Sequence, residues 1–497
     1  MGRAPTFAVL VALALLASCT RKRELAEPDG ALPQAKHEPT VTTVMTASVP
    51  GKPTDRTPRA FASAEGFGAR ARGGRGGVVC RVTTLARSGP GSLAACLDVA
   101  GPRTVIFDVS GTIEGPLEIR HGQVTLAGQT SPAGIVIKGG LVCDNVYDKN
   151  DCHDVVIRHL RLRGGAPDSL RIGGAHDVIV DHCSLAGAED ENVEITRSRN
   201  VTIQHSVIAE PQGDHYKWGG VLINYSKDAM PLDGITIHHT VWNGVAGRLP
   251  ELSCEDNPDG PGRSNCTGHV ASVELSNDVW WDVSDPIWFN RCTGTNQGND
   301  CPVTAPGFGV HLNLVGNVMV RRSSSDPDLP FAEPALFATQ RRTIHARDNV
   351  MMRGNAPAAR APETGTVAER HPFPVVTYTR SSELVTLLAR TAGAFPRDRM
   401  DERLASYLTR SIDARPPAWD GARGVSPVDA FAGTAHPPRP REPDGDGDGI
   451  PDTWEARHGL DPKRDDAQSL GRATACDPAR TALECWLDDL ADAITPR

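Results

Sequence analysis

Short runs of β-branched and aliphatic residues recur along the middle of the chain, each fenced by Gly, Asp, Asn or His. Three align without gaps: Asp154-Val155-Val156-Ile157-Arg158-His159, Asp177-Val178-Ile179-Val180-Asp181-His182 and Asn200-Val201-Thr202-Ile203-Gln204-His205, offset by 23 residues each. A fourth, Gly234-Ile235-Thr236-Ile237-His238-His239, follows after 34, as though one turn carried an 11-residue insertion. Weaker echoes stand at Leu314-Val315-Gly316-Asn317-Val318 and Ala346-Arg347-Asp348-Asn349-Val350. Runs this short, rich in Val and Ile and bounded by turn formers, predict strands. A period in the twenties with one strong strand per unit predicts a solenoid, and no leucine-rich frame is present. In a parallel β-helix equivalent positions stack into ladders. His159, His182, His205 and His239 share one phase, which predicts a packed structural stack rather than a metal site.

The ends of the chain read differently. Arg3 precedes an apolar run, Phe7 to Leu16, closed by Leu16-Ala17-Ser18-Cys19. The run is too short for a membrane span, which needs about 20 residues, and suits a signal peptide. The small residues before Cys19 resemble a bacterial lipobox, in which the cysteine is lipidated. The expected organisation is a signal and lipobox cysteine over 1–19, a flexible linker over 20–60 and a β-helix over 61–380. A helical tail packed on the β-helix follows over 381–440, and a small calcium-binding helical appendage over 441–497.

Composition sharpens this picture. Aromatics are 5% of 497 residues, which suits a narrow coil filled with Val, Ile, Leu and Ala. A net charge of −9 argues against nucleic acid as a partner. There are 12 cysteines and no CxxC spacing, which points to disulfides in an exported protein. With Cys19 set aside, neighbours pair as Cys80–Cys96, Cys143–Cys152, Cys254–Cys266, Cys292–Cys301 and Cys476–Cys485. Cys183 is left as a buried thiol. Each bridge closes a short loop, and a loop near 15 residues is worth about 3 kcal/mol in the chain-entropy model.

Two acidic segments carry candidate metal chemistry. In Asp190-Glu191-Asn192-Val193-Glu194-Ile195, an extended chain turns Asp190, Asn192 and Glu194 to one face. With Asp168 one coil earlier, these carboxylates would repel unless a hard cation such as calcium lay between them. Lys217, in His215-Tyr216-Lys217-Trp218, and Arg248 follow. The second segment, Asp444 to Glu455, places acids at loop positions 1, 3, 5, 9 and 12 (Asp444, Asp446, Asp448, Asp452, Glu455), with Gly449 at 6 and the Ile450 carbonyl at 7. That is the EF-hand spacing, and a structural calcium site is expected, with a helix from Thr453 stopped by Gly459.

Several motifs resemble the pectate-lyase-like proteins, family one of the polysaccharide lyases. They are Ala64-Glu65-Gly66-Phe67-Gly68, Gly73-Gly74-Arg75-Gly76-Gly77, Ser88-Gly89-Pro90-Gly91-Ser92-Leu93, Phe107-Asp108-Val109-Ser110-Gly111-Thr112-Ile113 and Ala127-Gly128-Gln129-Thr130. The likeness continues through Asp181-His182-Cys183-Ser184, His238-His239, Arg248-x-Pro250 and the tail from Ala392 to Arg403, covering roughly residues 60 to 460. The resemblance implies an all-β, right-handed parallel β-helix that cleaves polygalacturonate by calcium-dependent β-elimination. It also implies calcium ligands at Asp168, Asp190 and Glu194. Lys217 matches the lysine that grips the substrate carboxylate, and Arg248 the base. The family's second arginine is absent, since Ser253 stands in its place.

Elimination needs a cation at the uronate carboxylate and a base at the neighbouring ring proton. An arginine base must lose about 3 pKa units, roughly 4 kcal/mol. A divalent ion at about 6 Å, with an effective dielectric near 20, supplies on the order of 5 kcal/mol of repulsion. An alkaline optimum follows. The expected protein is a monomeric lyase for an acidic polysaccharide, exported as an outer-membrane or cell-surface lipoprotein held by its lipid alone, or secreted. The alternatives are a β-helical lipoprotein that binds polysaccharide without cleaving it, a lyase for another uronate polymer, or a galacturonan hydrolase.

Overall fold

The computed structural model describes residues 58–146, 150–165, 167–212, 219–255, 264–283, 287–289, 305, 307–325, 331–332, 341–354, 359–360, 365–414 and 437–496. Cys19, the segment 1–57, Lys217 and the Cys292–Cys301 pair lie outside them.

Strand registers reproduce the repeat. Val155, Val178, Val201 and Ile235 lie side by side at the offsets of 23, 23 and 34 read from the sequence. The extra residues of the long coil are shared between two loops. The offset is 28 at Val193–Val221 and reaches 34 at Arg199–Asp233, so five residues enter before the strand Val221–Asn224 and six after it.

Each coil contributes to three sheets. In one coil, His153–Arg158 belongs to the first, Leu160–Arg163 to the second and Leu170–Gly173 to the third. The first sheet stacks ten strands from Val78–Val82 to Arg342–Arg347, and the third stacks six from Leu117–Glu118 to Glu251–Leu252. The second stacks ten from Gly111–Glu114 to Ala359–Arg360, whose last strand is antiparallel. This is a parallel β-helix.

The polar residues that fence each run are the ones that can take its corners. One or two residues join first sheet to second, and the first of them is His159, His182, His205 or His239, with φ of 54°, 48°, 47° and 50°. Downstream, Asn277, Gly316 and Asp348 take positive φ in the same place. The opening residues Asp154, Asp177, Asn200 and Gly234 are also left-handed, at 50° to 66°. Such φ is a genuine outlier for β-branched residues, whereas Asn, Asp and His adopt it several-fold more often than most. The four corner histidines stack with ring centroids 5.0, 5.0 and 4.9 Å apart. Burial pushes His159 and His205 well below the usual histidine range and His239 to about 4. The neutral rings of His205 and His239 therefore stack without charge repulsion.

Inside, Val155, Ile157, Leu160, Leu162, Leu170 and Ile172 and their equivalents form one continuous core. Burying each such aliphatic contributes about 1.5–3 kcal/mol, which makes the ladder the principal stabiliser. Four of the expected bridges are present, Cys80–Cys96, Cys143–Cys152, Cys254–Cys266 and Cys476–Cys485, and Cys183 is a buried thiol.

The outer faces are treated unequally. Across the first sheet runs the amino-terminal segment, with Phe67 N and Gly68 N donating to Thr236 Oγ1 and Thr202 Oγ1 at 3.1 and 2.8 Å. A Cβ on Gly68 would fall 2.2 Å from the Val178 carbonyl, so this glycine permits the close approach. The helices Asp452–His458 and Ala482–Ile494 lie over the same sheet, sharing an apolar cluster with Ile106 and Ala127. Gly459 ends the former in a left-handed cap, as expected.

Two helices, Ser381–Thr391 and Arg399–Tyr407, cover the second sheet, packing Leu384, Leu388, Met400 and Leu404 on Ala186, Val207, Ala209 and Val241. Arg161 Nε and Arg163 Nη2 each lie 2.7 Å from a carboxylate oxygen of Asp401, all buried, with Asp398 beside them. Asp401→Ala is expected to cost about 3 kcal/mol in urea unfolding, the low end of the range for breaking a buried pair, because Asp398 remains. A loss under about 1 kcal/mol would mean that the arginines reach water instead. Among the described residues, no helix lies on the outer face of the third sheet.

Candidate active site

On that third face, the parallel register sets Val142, Arg171, Glu194, Leu222 and Glu251 in one row. Three residues earlier in each coil, the loops entering these strands form a second row: Asp168, Glu191, Gly219 and Arg248. Backbone bonds hold it in line, from Ser169 N to Glu191 O at 3.2 Å, Asn192 N to Gly219 O at 2.8 Å and Val221 N to Arg248 O at 2.8 Å. A Cβ on Gly219 would fall 2.0 Å from Asp190 O, so a bare backbone lets these coils approach.

Carboxylate oxygens of Asp168, Glu191 and Glu194 lie within 4.8 Å of one another, all three residues buried. Asp190, expected as a ligand, stands outside this group. Its side chain is 36% exposed and turns to Arg248, 3.6 Å away. Glu191 takes its place because the loop before Val193 is not extended: Glu191 N donates to Asp168 Oδ1 at 3.1 Å and so draws residue 191 over residue 168. The sequence held this signal, since the offset of 23 that carries Asp154 onto Asp177 also carries Asp168 onto Glu191.

The electrostatics are those of crowded acids. Burial pushes the Asp168 carboxyl up to about 6, against a hydrogen bond from Glu194. Burial and then the Asp168 charge push Glu194 up to about 8. The two carboxyls thus share a proton where a cation would satisfy both. Asp168 Oδ2 is buried and accepts no hydrogen bond. An oxygen-only set with an unsatisfied buried oxygen fits a hard divalent ion such as calcium.

Among the described residues, two arginines stand beside the acids. Arg171, absent from the expected set, reaches Asp144 Oδ2 at 2.9 Å, Glu194 Oε1 at 3.2 Å and Asp168 Oδ2 at 4.0 Å. Arg248, at φ 53°, contacts Glu191 and places Nε 3.0 Å from Glu251 Oε2. Lys217 lies outside the described residues, and the chain re-enters the row two residues later at Gly219. Where a second arginine was looked for, Ser253 is buried and donates from Oγ to Glu251 Oε1 at 3.2 Å.

No family model matches the chain. It is 28% identical over 463 residues to a protein named probable pectate lyase C from Aspergillus fumigatus, covering 87% of this chain and 93% of the relative. A protein of the same name from Aspergillus flavus is 29% identical over 461 residues, covering 87% and 94%. Among solved structures, a pectate lyase from Bacillus sp. N165 in complex with trigalacturonate matches with a TM-score of 0.44 and 15% identity, over 66% of this chain and 98% of that one.

Proposed function

We propose that this protein is a pectate lyase, a carbon–oxygen lyase that cleaves polygalacturonate by β-elimination on the open face of its third sheet. The observation that carries the reading is the juxtaposition of Asp168, Glu191 and Glu194 with Arg248 across two neighbouring rows of one face. Full-length similarity to proteins named pectate lyase C supports it.

In this reading Asp168, Glu191 and Glu194 hold a calcium ion, with Asp190 at the rim. The bound ion would supply Lewis-acid stabilisation for charge developing on the uronate carboxylate. Lys217 and Arg171 orient that carboxylate. Arg248 takes the proton α to it, the C–H electrons become the new double bond, and the C–O bond to the leaving sugar breaks. The departing oxygen recovers its proton from water.

The protein is read as exported, lipidated at Cys19 and monomeric, and the four bridges among the described residues suit an oxidising compartment. The loop Asp444–Glu455 is read as a structural calcium site. Ser253, buried against Glu251 where the second arginine is missing, is the observation that favours the second reading, a polysaccharide-binding protein without turnover.

Purified protein with polygalacturonate and calcium at alkaline pH is expected to give unsaturated products that absorb in the ultraviolet, and chelator should stop their formation. Polymer retention without absorbance would replace the lyase by the binder. New reducing ends without absorbance would make it a hydrolase.

A further inference from the structure

We propose that a divalent cation in the loop Asp444–Glu455 is the latch that docks the carboxy-terminal appendage on the first coils of the β-helix, a stabilising site separate from the one on the third sheet. The proposal rests on that loop holding an ion. Glu455 is fully buried, and neither of its carboxylate oxygens accepts a hydrogen bond. The charges that act on it are those of Asp448, Asp446 and Asp452 of the same loop, and of Asp466. Asp446 Oδ2 is likewise buried without a partner. Oxygens of Asp444, Asp446 and Asp448 lie within 4.8 Å of one another.

The remaining oxygens shape the loop. Asp444 Oδ1 accepts from Gly447 N at 2.9 Å, Asp448 Oδ1 from Ile450 N at 2.8 Å and Asp452 Oδ1 from Gly445 N at 2.6 Å. The basic partners of this acidic group sit at its edges. Arg464 and Arg472 pair with Asp466, and Arg81 contacts Asp444. Among the described residues, no basic side chain pairs with Glu455. Burying this many carboxylates together is costly without a central positive charge.

The same loop is the appendage's foothold. Ile450 is fully buried in a cluster with Ile106 and Ala127 of the first sheet and Leu483 and Leu487 of the last helix. Arg81, on the first strand, also lies 3.2 Å from Asp108, so one guanidinium joins loop and coil. Farther along, Asp488 of the last helix meets Arg158 Nη1 at 2.9 Å, and Glu484 meets Arg75 Nε at 2.7 Å. An ion that orders the loop therefore sets the position of Ile450 and Asp444 against the first coils. At 100 times its dissociation constant, such an ion favours the docked state about 100-fold.

The test uses the intact, disulfide-bonded protein. Calcium stoichiometry by equilibrium dialysis should read two ions per chain and fall to one in Glu455→Gln. Trypsin cleavage after Arg441 should accelerate about 100-fold in EGTA, and in Glu455→Gln it should be fast even with calcium. Arg81→Gln should keep both ions and lose part of the protection. Unchanged stoichiometry in Glu455→Gln overturns the ion site itself. A lost ion with unchanged cleavage leaves the site and overturns the latch. Should Glu455→Gln fail to fold, the Arg81→Gln and EGTA arms on the natural protein decide between the same outcomes.

Discussion

Arg248→Asn is expected to lower the rate of unsaturated-product formation by about 10³-fold, within the range for loss of a general base. Asparagine is the informative replacement because Arg248 sits at φ 53°, where Asn is tolerated and Ala adds backbone strain unrelated to chemistry. The guanidinium adjoins Glu191 and Glu251, so its removal also leaves acids without a partner. A modest drop in melting temperature is therefore expected alongside the lost rate. Arg248→Lys separates the two effects: it restores a positive charge and much of the stability, but not the fork that reaches both acids. Full activity in Arg248→Asn would remove Arg248 from the base role and turn attention to Arg171, the other guanidinium of the row.

Much of the architecture was legible because the β-helix writes its register into the sequence. The 23-residue offset fixed which strands pair, and the fenced runs fixed where corners fall, since Asp154, Asp177 and Asn200 open and histidines close each one with positive φ. The third sheet was harder to see. Its strands are four residues or fewer, so the alternation in Leu170–Gly173 and Val193–Thr196 spans only two apolar positions each, and the loops entering them vary in length. That is why spacing within one segment pointed to Asp190, while the coil offset points to Glu191. Arg171 escaped notice because its partners Asp144 and Glu194 come from the coils on either side. The footing of the last helix was also hidden, since Arg158 and Asp488 are separated by 330 positions and share no motif.

The covering of the faces explains where a polymer could bind. Segments from both chain ends lie over the first sheet and two helices over the second, each fixed by an ion pair to the sheet: Arg158 with Asp488, and Arg161 with Asp401. Among the described residues the third sheet carries no such helical cover over Asp168, Glu191 and Glu194, three buried acids of which Asp168 and Glu194 have unbalanced burial. A stabilising substitution there is simple to envisage, and its effect on the chemistry is the measure of what those acids are for.

Glu194→Gln is expected to abolish calcium-dependent turnover and to weaken calcium binding at the third-sheet site by more than about 100-fold, through loss of one of three buried anionic ligands. The natural protein should bind calcium more tightly as pH rises. Glu194 is protonated up to about 8 and Asp168 up to about 6, so an ion entering between them must displace protons. Each displaced proton makes apparent affinity climb about tenfold per pH unit until its carboxyl ionises. The stability effect has the opposite sign. The usual glutamate value is 4.5, so without calcium the folded protein holds a proton at Glu194 that the unfolded chain has already lost. Its stabilising contribution is complete below about 4.5 and is lost as pH rises through about 8. Between pH 7 and 9 the buried histidines stay neutral, so thermal unfolding in EGTA over that window should show the natural protein losing stability relative to Glu194→Gln. Calcium should reverse the order, stabilising the natural protein most at the alkaline end. A calcium affinity indifferent to pH, or parallel melting curves for the two proteins in EGTA, would show that Glu194 meets solvent and does not share a proton with Asp168.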